Sequence, residues 1–397
     1  MTVEAMNVAG VMSGTSADGV DVAVLHIAPG RTASGSRSAG RPGLTLISHE
    51  SFPYPAALRR AVLAAMNASA TSTAELARLN WRLGLAYAEA VRATIEKHRV
   101  KIDLVGCHGQ TVFHQGRASA YAGRKIACTW QLGEPAAITA AMRVPVVSNF
   151  RPADMFAGGQ GAPLVPLLDY VLFSDSKRGR VLQNIGGIGN LTAIPAGAAP
   201  AALVAFDTGP GNMVMDALAT ELFNKRFDRN GALAARGTVL EAVLRNGLRH
   251  PFFRLKPPRS AGREQFGREY AAALLADCRR ISLKDEDAMA TATALTAESI
   301  ARSYEQFVRP AMKAQPVDYI ISGGGAHNAT LMAMLGQRLG PLGCELTATS
   351  EHGLPVEAKE AAAFALLAWQ TWQHLAGNVP SATGANRPAI LGQVTYV

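Results

Sequence analysis

Absences set the first limits on this chain. Cysteine is scarce: Cys107, Cys128, Cys278 and Cys344 lie far apart and form neither a CxxC pair nor a Cys/His ligand spacing. That argues against a disulfide framework or a zinc site, and for buried thiols in a reducing compartment. No run of about 18 uninterrupted apolar residues occurs, so a membrane span is not expected. The opening MTVEAMNVAG carries Glu4, lacks a basic cluster and runs straight into a strand-like stretch, unlike a secretory signal. The expected location is cytoplasmic. A net charge of +9 is dispersed, without a zinc finger, an RNP-type strand or a basic stripe, so nucleic acid is not an expected partner. Arg31, Arg37 and Arg41, among Gly and Ser in Gly30–Gly43, read as a basic surface loop.

What is present is apolar material, 48% of 397 residues, enough for two cores. Two domains facing a shared cleft are the expected arrangement. The chain opens as a meander of strands Asn7–Met12, Val20–Ile27 and Thr45–Phe52. Helices are predicted over Pro55–Asn67 and Thr73–Arg99, the second from the spacing of Leu76, Leu79, Leu83, Tyr87, Val91 and Ile95. A strand Ile102–Cys107, a helix Glu134–Arg143 and a strand Pro145–Phe150 follow. Near Arg180 the pattern restarts, with strands Val181–Ile185, Asn190–Ile194 and Leu203–Asp207 and a helix Met213–Phe223. A broken helical stretch Thr238–Val308 then leads to a strand Tyr319–Ser322. The echo is one of pattern, not of sequence. It sets the expected domains at 1–178, joined by a C-terminal helix within 356–397, and 179–355.

Glycine-rich turns fall at strand ends in both halves. GVMSGTSADGVD, Gly10–Asp21, offers the hydroxyls of Ser13, Thr15 and Ser16, while Gly14 and Gly19 free backbone N–H groups for an anion. It lacks the lysine of a Walker A loop, and a tight hairpin accounts for it equally well. NIGGIGN (Asn184–Asn190), DTGPGN (Asp207–Asn212) and ISGGGAHN (Ile321–Asn328) place glycines where a ligand approaches a helix N-terminus. Asp207 stands at a strand end, where open α/β sheets carry working residues; capping of the next helix is the plain alternative. Each turn alone is a weak signal, but together they point to a nucleotide between two α/β halves. CHGQTVFH (Cys107–His114) and the stretch Asn149–Pro163 also follow strands and supply His108, Gln110 and Arg151, donors and acceptors suited to a sugar. The spacing of His108 and His114 matches no helical metal pair, and His114 reads as structural. Glu357 and Glu360 are predicted on one helix face, beside the close-packing Ala361, Ala362 and Ala363.

Taken in order, GVMSGTSADGVD, CHGQTVFH, FRPADMFAGGQGAPL, NIGGIGN, FDTGPGN, SGGGAHN and EAKEAAAFA resemble the segments of the anhydro-N-acetylmuramic acid kinase family, from Val8 to Trp369. The resemblance implies a two-lobed ribonuclease-H-like α/β fold of the actin/hexokinase/Hsp70 (ASKHA) class. It also implies ATP in a central nucleotide cleft, Mg²⁺, a homodimer and a role in peptidoglycan recycling. The implied reaction opens the 1,6-anhydro ring of anhydro-N-acetylmuramic acid with water and phosphorylates O6, giving N-acetylmuramic acid 6-phosphate and ADP. Asp207 matches the family's catalytic aspartate, the base that takes a proton from the attacking water. Ser13, Gly14, Thr15, Ser16, Ala17, Asp18, Gly19 and Val20 match the phosphate cradle, with Asp18 on the metal side. Asn184, Gly186, Gly187, Gly209, Gly211 and Asn212 pass the nucleotide, and Gly323, Gly324, Gly325 and Asn328 face the adenosine. His108, Gln110, Arg151, Glu357 and Glu360 are the sugar-side candidates. The metal ligands stay unassigned.

Three departures stand out: Asn149 where the family has Asp, Gly189 in place of Ala, and the extra Gly30–Gly43 loop. The alternatives are another sugar kinase of this fold, a sugar-sensing regulator without turnover, and a glycosidase. The regulator would carry a helix-turn-helix, and none precedes the first strand. The glycosidase would use Glu357 and Glu360 as its two carboxylates and leave the phosphate cradle unexplained.

Overall fold

A computed structural model of the chain describes residues 4–14, 16–30, 41–313, 315–348, 355 and 357–397; Thr15 and residues 31–40 of the extra loop lie outside them. Two compact units result: Met1–Leu172 with Glu357–Val397, and Phe173–Val356.

The first unit is built on β1 (Met6–Ser13), whose apolar run is continuous because both of its faces are covered. β2 (Gly19–Ala28) runs antiparallel to it, and β3 (Gly43–Pro53) antiparallel to β2. β4 (Leu104–Tyr121) lies parallel to β1, returns as the hairpin strand β5 (Arg124–Leu132), and pairs in parallel with β6 (Val146–Ser148). Alternate residues of β1 serve opposite layers. Ala9 and Val11 pack in one core with Leu83, Tyr87 and Val91 of the helix Thr73–His98. On the other face, a Cβ on Gly10 would lie 1.8 Å from the Ala361 carbonyl oxygen, and one on Gly106 would lie 2.2 Å from that of Phe364. Helix Lys359–Trp372 therefore rests its backbone on bare strand, which its buried Ala361, Ala362, Ala365 and Ala368 permit.

The second unit holds β7 (Gly179–Ile185), β8 (Ile188–Ile194), β9 (Val204–Pro210), β10 (Val317–Ser322) and β11 (Cys344–Ala348). β7–β8 and β8–β9 are antiparallel, while β10 is parallel to both β7 and β11. The sheet order is β9-β8-β7-β10-β11; in the first unit it is β3-β2-β1-β4-β6, with Gln393–Thr395 on the free edge of β6. Numbered within each unit, both sheets read 3-2-1-4-5 with an antiparallel second strand. This is the ribonuclease-H-like topology, present once per unit. Helix Asp285–Ser303 is buried along most of its length, which explains its Ala/Thr composition: Thr291 and Thr293 return their hydroxyls to the carbonyls of Asp287 and Met289.

Sequence expectation and structure part in several places, and the helices Arg151–Phe156 and Pro166–Phe173 were not expected. β4 does not end at Cys107, and β5 was unexpected: beyond Val112 the hairpin is largely solvent-facing, so it carries no apolar alternation. β11 is a short strand on the sheet edge and escaped for a similar reason. The last helix begins at Lys359, so Glu357 precedes it and shares no helix face with Glu360.

The helix contact is testable. Gly10→Ala should lower stability to urea by about 1–3 kcal/mol through overpacking. Gly43→Ala, where a Cβ would meet nothing within 4 Å, should stay within about 0.5 kcal/mol of the parent. Equal effects would remove the close approach as the reason for glycine at position 10.

Candidate functional site

In the first unit, the loop from β1 to β2 is held from below by buried side chains. Ser13 Oγ donates to Gln110 Oε1 at 2.6 Å and lies 2.8 Å from the Tyr54 hydroxyl, while Gln110 Nε2 donates to the Gly14 carbonyl at 3.1 Å. Gln110 is fully buried, and both ends of its amide are engaged by the loop. Ala17 and Val20 are buried as well, so neither presents a side chain to a ligand. Ser16 is exposed, as is Asp18, which pairs with Arg59 at 3.0 Å. Gly14 differs from its neighbours: a Cβ there would meet only Ser16 Oγ at 3.9 Å, so the folded chain does not itself require glycine. Among the described residues beyond its chain neighbours, none fills the room a side chain would take.

The sugar-side candidates divide. His108 is buried against the Phe364 ring, with 4.5 Å between centroids. Its Nε2 accepts from Arg151 Nε at 3.2 Å and Nη2 at 2.9 Å, which assigns the neutral tautomer with the proton on Nδ1. Burial, and then the Arg151 cation, hold His108 well below its usual range. Arg151 also donates to the Gly161 carbonyl at 2.8 Å. Burial lowers its own pKa to about 10, against the pull of Glu360 and Asp154. Glu360, in the first turn of helix Lys359–Trp372, keeps solvent contact within largely protein surroundings. Desolvation raises its carboxyl, opposed by Arg151, assisted by Asp21 and opposed by Lys359. His108, Arg151 and Glu360 thus form one electrostatic group, whereas Gln110 faces the loop and Glu357 is exposed ahead of the helix.

Asp154 explains the motif that carries Arg151. It is fully buried and accepts from Gly161 N–H at 2.8 Å, from Asn378 Nδ2 at 2.7 Å and from Thr383 Oγ1 at 2.7 Å. Asn149 sits at φ 55°, a conformation Asn tolerates, and donates to Gln393 Oε1 at 3.2 Å.

In the second unit, the glycine turns interlock. Asn212 and Gly211 give their N–H groups to the carbonyls of Gly186 and Gly187, at 2.7 and 2.9 Å, and Asn212 Nδ2 donates to the Ile185 carbonyl at 3.1 Å. Several glycines serve this packing: Cβ atoms would lie 2.2 Å from Gly186 O at Gly211, 2.4 Å from Ile185 Cγ2 at Gly325 and 2.8 Å from Phe253 at Gly209. Gly323 needs its φ of 81° and lies against Asn184 Oδ1. Gly189 fits under Thr208, where a Cβ would lie 2.7 Å from Oγ1. Gly186 has no such constraint, its nearest neighbour being 3.7 Å away, and Gly187 and Gly324 meet only side-chain atoms, of Met213 and Asn212, at 3.2 and 3.3 Å. Asn328 caps helix Ala329–Leu339, accepting from Leu331 N–H at 2.9 Å.

Asp207 lies on β9 beside these turns. It caps no helix, since Asn212 occupies the N-cap of Met213–Phe223. The carboxylate is half-buried, and its Oδ2 accepts the Ala261 N–H at 2.7 Å. Oδ1 has no hydrogen bond among the described residues. Burial pushes the carboxyl up to about 6, while the Ala261 N–H and the Arg259 cation pull it down. Sequence reasoning missed the Arg259–Ala261 stretch, because KPPRSAGRE follows no strand and carries no glycine run. Among the described residues, no cluster of three or more His, Cys, Asp or Glu is placed to hold a metal ion.

Residues 6–397 match the family described as anhydro-N-acetylmuramic acid kinase. The anhydro-N-acetylmuramic acid kinase of Bacillus cereus (strain AH187) is 41% identical over 98% of this chain and 99% of its own. That of Bacillus cereus (strain B4264) is 42% identical over 98% and 97%, and that of Bacillus anthracis (strain CDC 684 / NRRL 3495) 40% identical over 98% and 99%. The likeness runs through both units, not through a nucleotide-binding module alone, and the chain belongs to the anhydro-N-acetylmuramic acid kinase family.

Proposed function

We infer that this chain is an ATP-dependent kinase that opens anhydro-N-acetylmuramic acid with water and phosphorylates its O6, giving N-acetylmuramic acid 6-phosphate and ADP. The observation that carries the chemistry is Asp207, a half-buried carboxylate with one oxygen committed to Ala261 and a pKa pushed up to about 6. Such a group is ionised at neutral pH and still basic enough to draw a proton from water. The water oxygen bonds to C1 as its proton passes to Asp207. The C1–O6 bond breaks, and O6 bonds to the γ-phosphorus as ADP leaves. Phosphoryl transfer asks for positioning and charge neutralisation more than for further covalent groups.

The remaining roles follow from what each part offers. Ser13–Gly19 presents hydroxyls and bare backbone to phosphate, and beside Gly14 is a space that no described residue outside its chain neighbours fills. Gly186, Gly187, Gly209 and Gly211 carry the nucleotide in the second unit, with Gly323–Asn328 toward adenosine. Arg151 and Glu360 hold the sugar, and His108 supports Arg151. Mg²⁺, when bound with ATP, supplies charge neutralisation; Asp18 is the exposed carboxylate that the phosphate loop offers it. In this reading the enzyme works in the cytoplasm as a homodimer, in peptidoglycan recycling. Among the described residues, no helix is long and apolar enough to cross a membrane.

Three measurements test the scheme. Asp207→Asn should keep ATP binding by calorimetry and lose about 10²–10⁴ in turnover. In the parent enzyme the base is fully available above its pKa and lost as the pH falls through it, so kcat/KM should drop below about pH 6. An active Asp207→Asn enzyme, or no acid limb, would remove Asp207 as the base. In ¹⁸O-labelled water, mass spectrometry should find the label at C1 of the product. Label in the phosphate would mean that water attacks phosphorus and would reject the coupled ring opening.

A further inference from the structure

Asp207 is gripped by one short segment of the same unit. Its N–H donates to the Arg259 carbonyl at 3.0 Å, and Arg259 Nε–H donates to the Asp207 carbonyl at 3.0 Å. The Ala261 N–H takes Oδ2, so the segment holds the residue at its N–H, its carbonyl and its side chain. The guanidinium is itself fixed. Arg259 is 5% exposed, donates to the Leu255 carbonyl at 2.9 Å and to Ser303 Oγ at 2.8 Å, and lies 5.2, 4.7 and 5.2 Å from the ring centroids of Phe206, Phe252 and Phe307. A buried cation with its donors committed to neutral acceptors is costly unless it serves a purpose.

We propose that Arg259 is a positioning residue for the base: it locks the backbone of Asp207 so that Oδ2 meets Ala261 and Oδ1 stays free for water, and it keeps the carboxylate ionised without forming a salt bridge to it. Among the described residues, no charged group besides Arg259 acts on the carboxylate. β8 sets Asn190 opposite Asp207, and helix Asp285–Ser303 presents the hydroxyls of Ser299 and Ser303 to the adjoining Thr208 and Gly209. The proposal rests on Asp207 being the base.

The test compares two variants with the parent enzyme, using Mg-ATP and anhydro-N-acetylmuramic acid. Arg259→Lys keeps the charge and loses the fork, so kcat should fall about tenfold or more with both KM values within about twofold and the acid limb in place. Arg259→Met removes the charge as well, and should move the acid limb of kcat/KM upward. A purely structural role would lower thermal stability and the active fraction in both variants but leave the limb where it is. A folded Arg259→Lys enzyme with parental kcat would overturn the proposal, as would an unshifted limb in Arg259→Met. If Arg259→Met does not fold, the kcat of Arg259→Lys per active site, with sites counted by calorimetric ATP titration, decides: a parental value overturns the proposal and a fall of about tenfold supports it. Failure of Asp207 itself is distinguishable: Asp207→Asn would then remain active whatever the Arg259 variants do.

Discussion

A carboxylate works as a base near neutral pH only when it is partly withdrawn from water yet not neutralised by a cation at contact distance. In the function proposed above, the second unit meets both demands at one residue. Burial raises Asp207, and a direct bond from arginine to its carboxylate would drive it back down to a poor base. The chain instead sets the Arg259 fork on the carbonyl of Asp207 and a backbone N–H on its carboxylate. Field and geometry are thereby supplied separately. The aromatic faces of Phe206, Phe252 and Phe307 keep the cation where this division holds.

The same ribonuclease-H-like sheet appears in both units, yet the units spend their glycines differently. In the first, Gly10 and Gly106 admit a helix onto the sheet, and Gly14 stands open at the strand end. In the second, Gly209, Gly211 and Gly325 let one turn nest in another, and Gly186 stands open. Glycines that the packing demands and glycines that it does not are alike in a sequence. Only the distance a missing Cβ would have to its neighbours separates them.

Much of the fold was legible because burial imposes periodicity. The unbroken apolar run of β1 and the spacing of Leu79, Leu83, Tyr87 and Val91 each report a covered face. The solvent-facing half of the β4–β5 hairpin and the edge strand β11 report none, and they were missed. In the site, the glycine turns and Asp207 were visible as motifs at strand ends. The division of labour was not. Gln110 looked like a sugar ligand and is a buried prop for the loop from β1 to β2. Glu357 looked like a partner of Glu360 and precedes the helix. Arg259 carried no local signal, because its importance lies in a contact 52 residues away.

The first unit is discontinuous: the second is inserted between its body and residues 357–397. Those last residues supply the helix that lies on Gly10 and Gly106, the two side chains that fasten Asp154, and the strand that edges β6. During translation, then, the inserted unit is available in full while the earlier-made one still lacks a layer. Asp154, in the motif that carries Arg151, gains two of its hydrogen-bond donors only once Asn378 and Thr383 have been made. A nonsense codon or a proteolytic nick close to residue 357 would spare the inserted half and leave its older neighbour with a bare sheet face, a ready target for chaperones or aggregation.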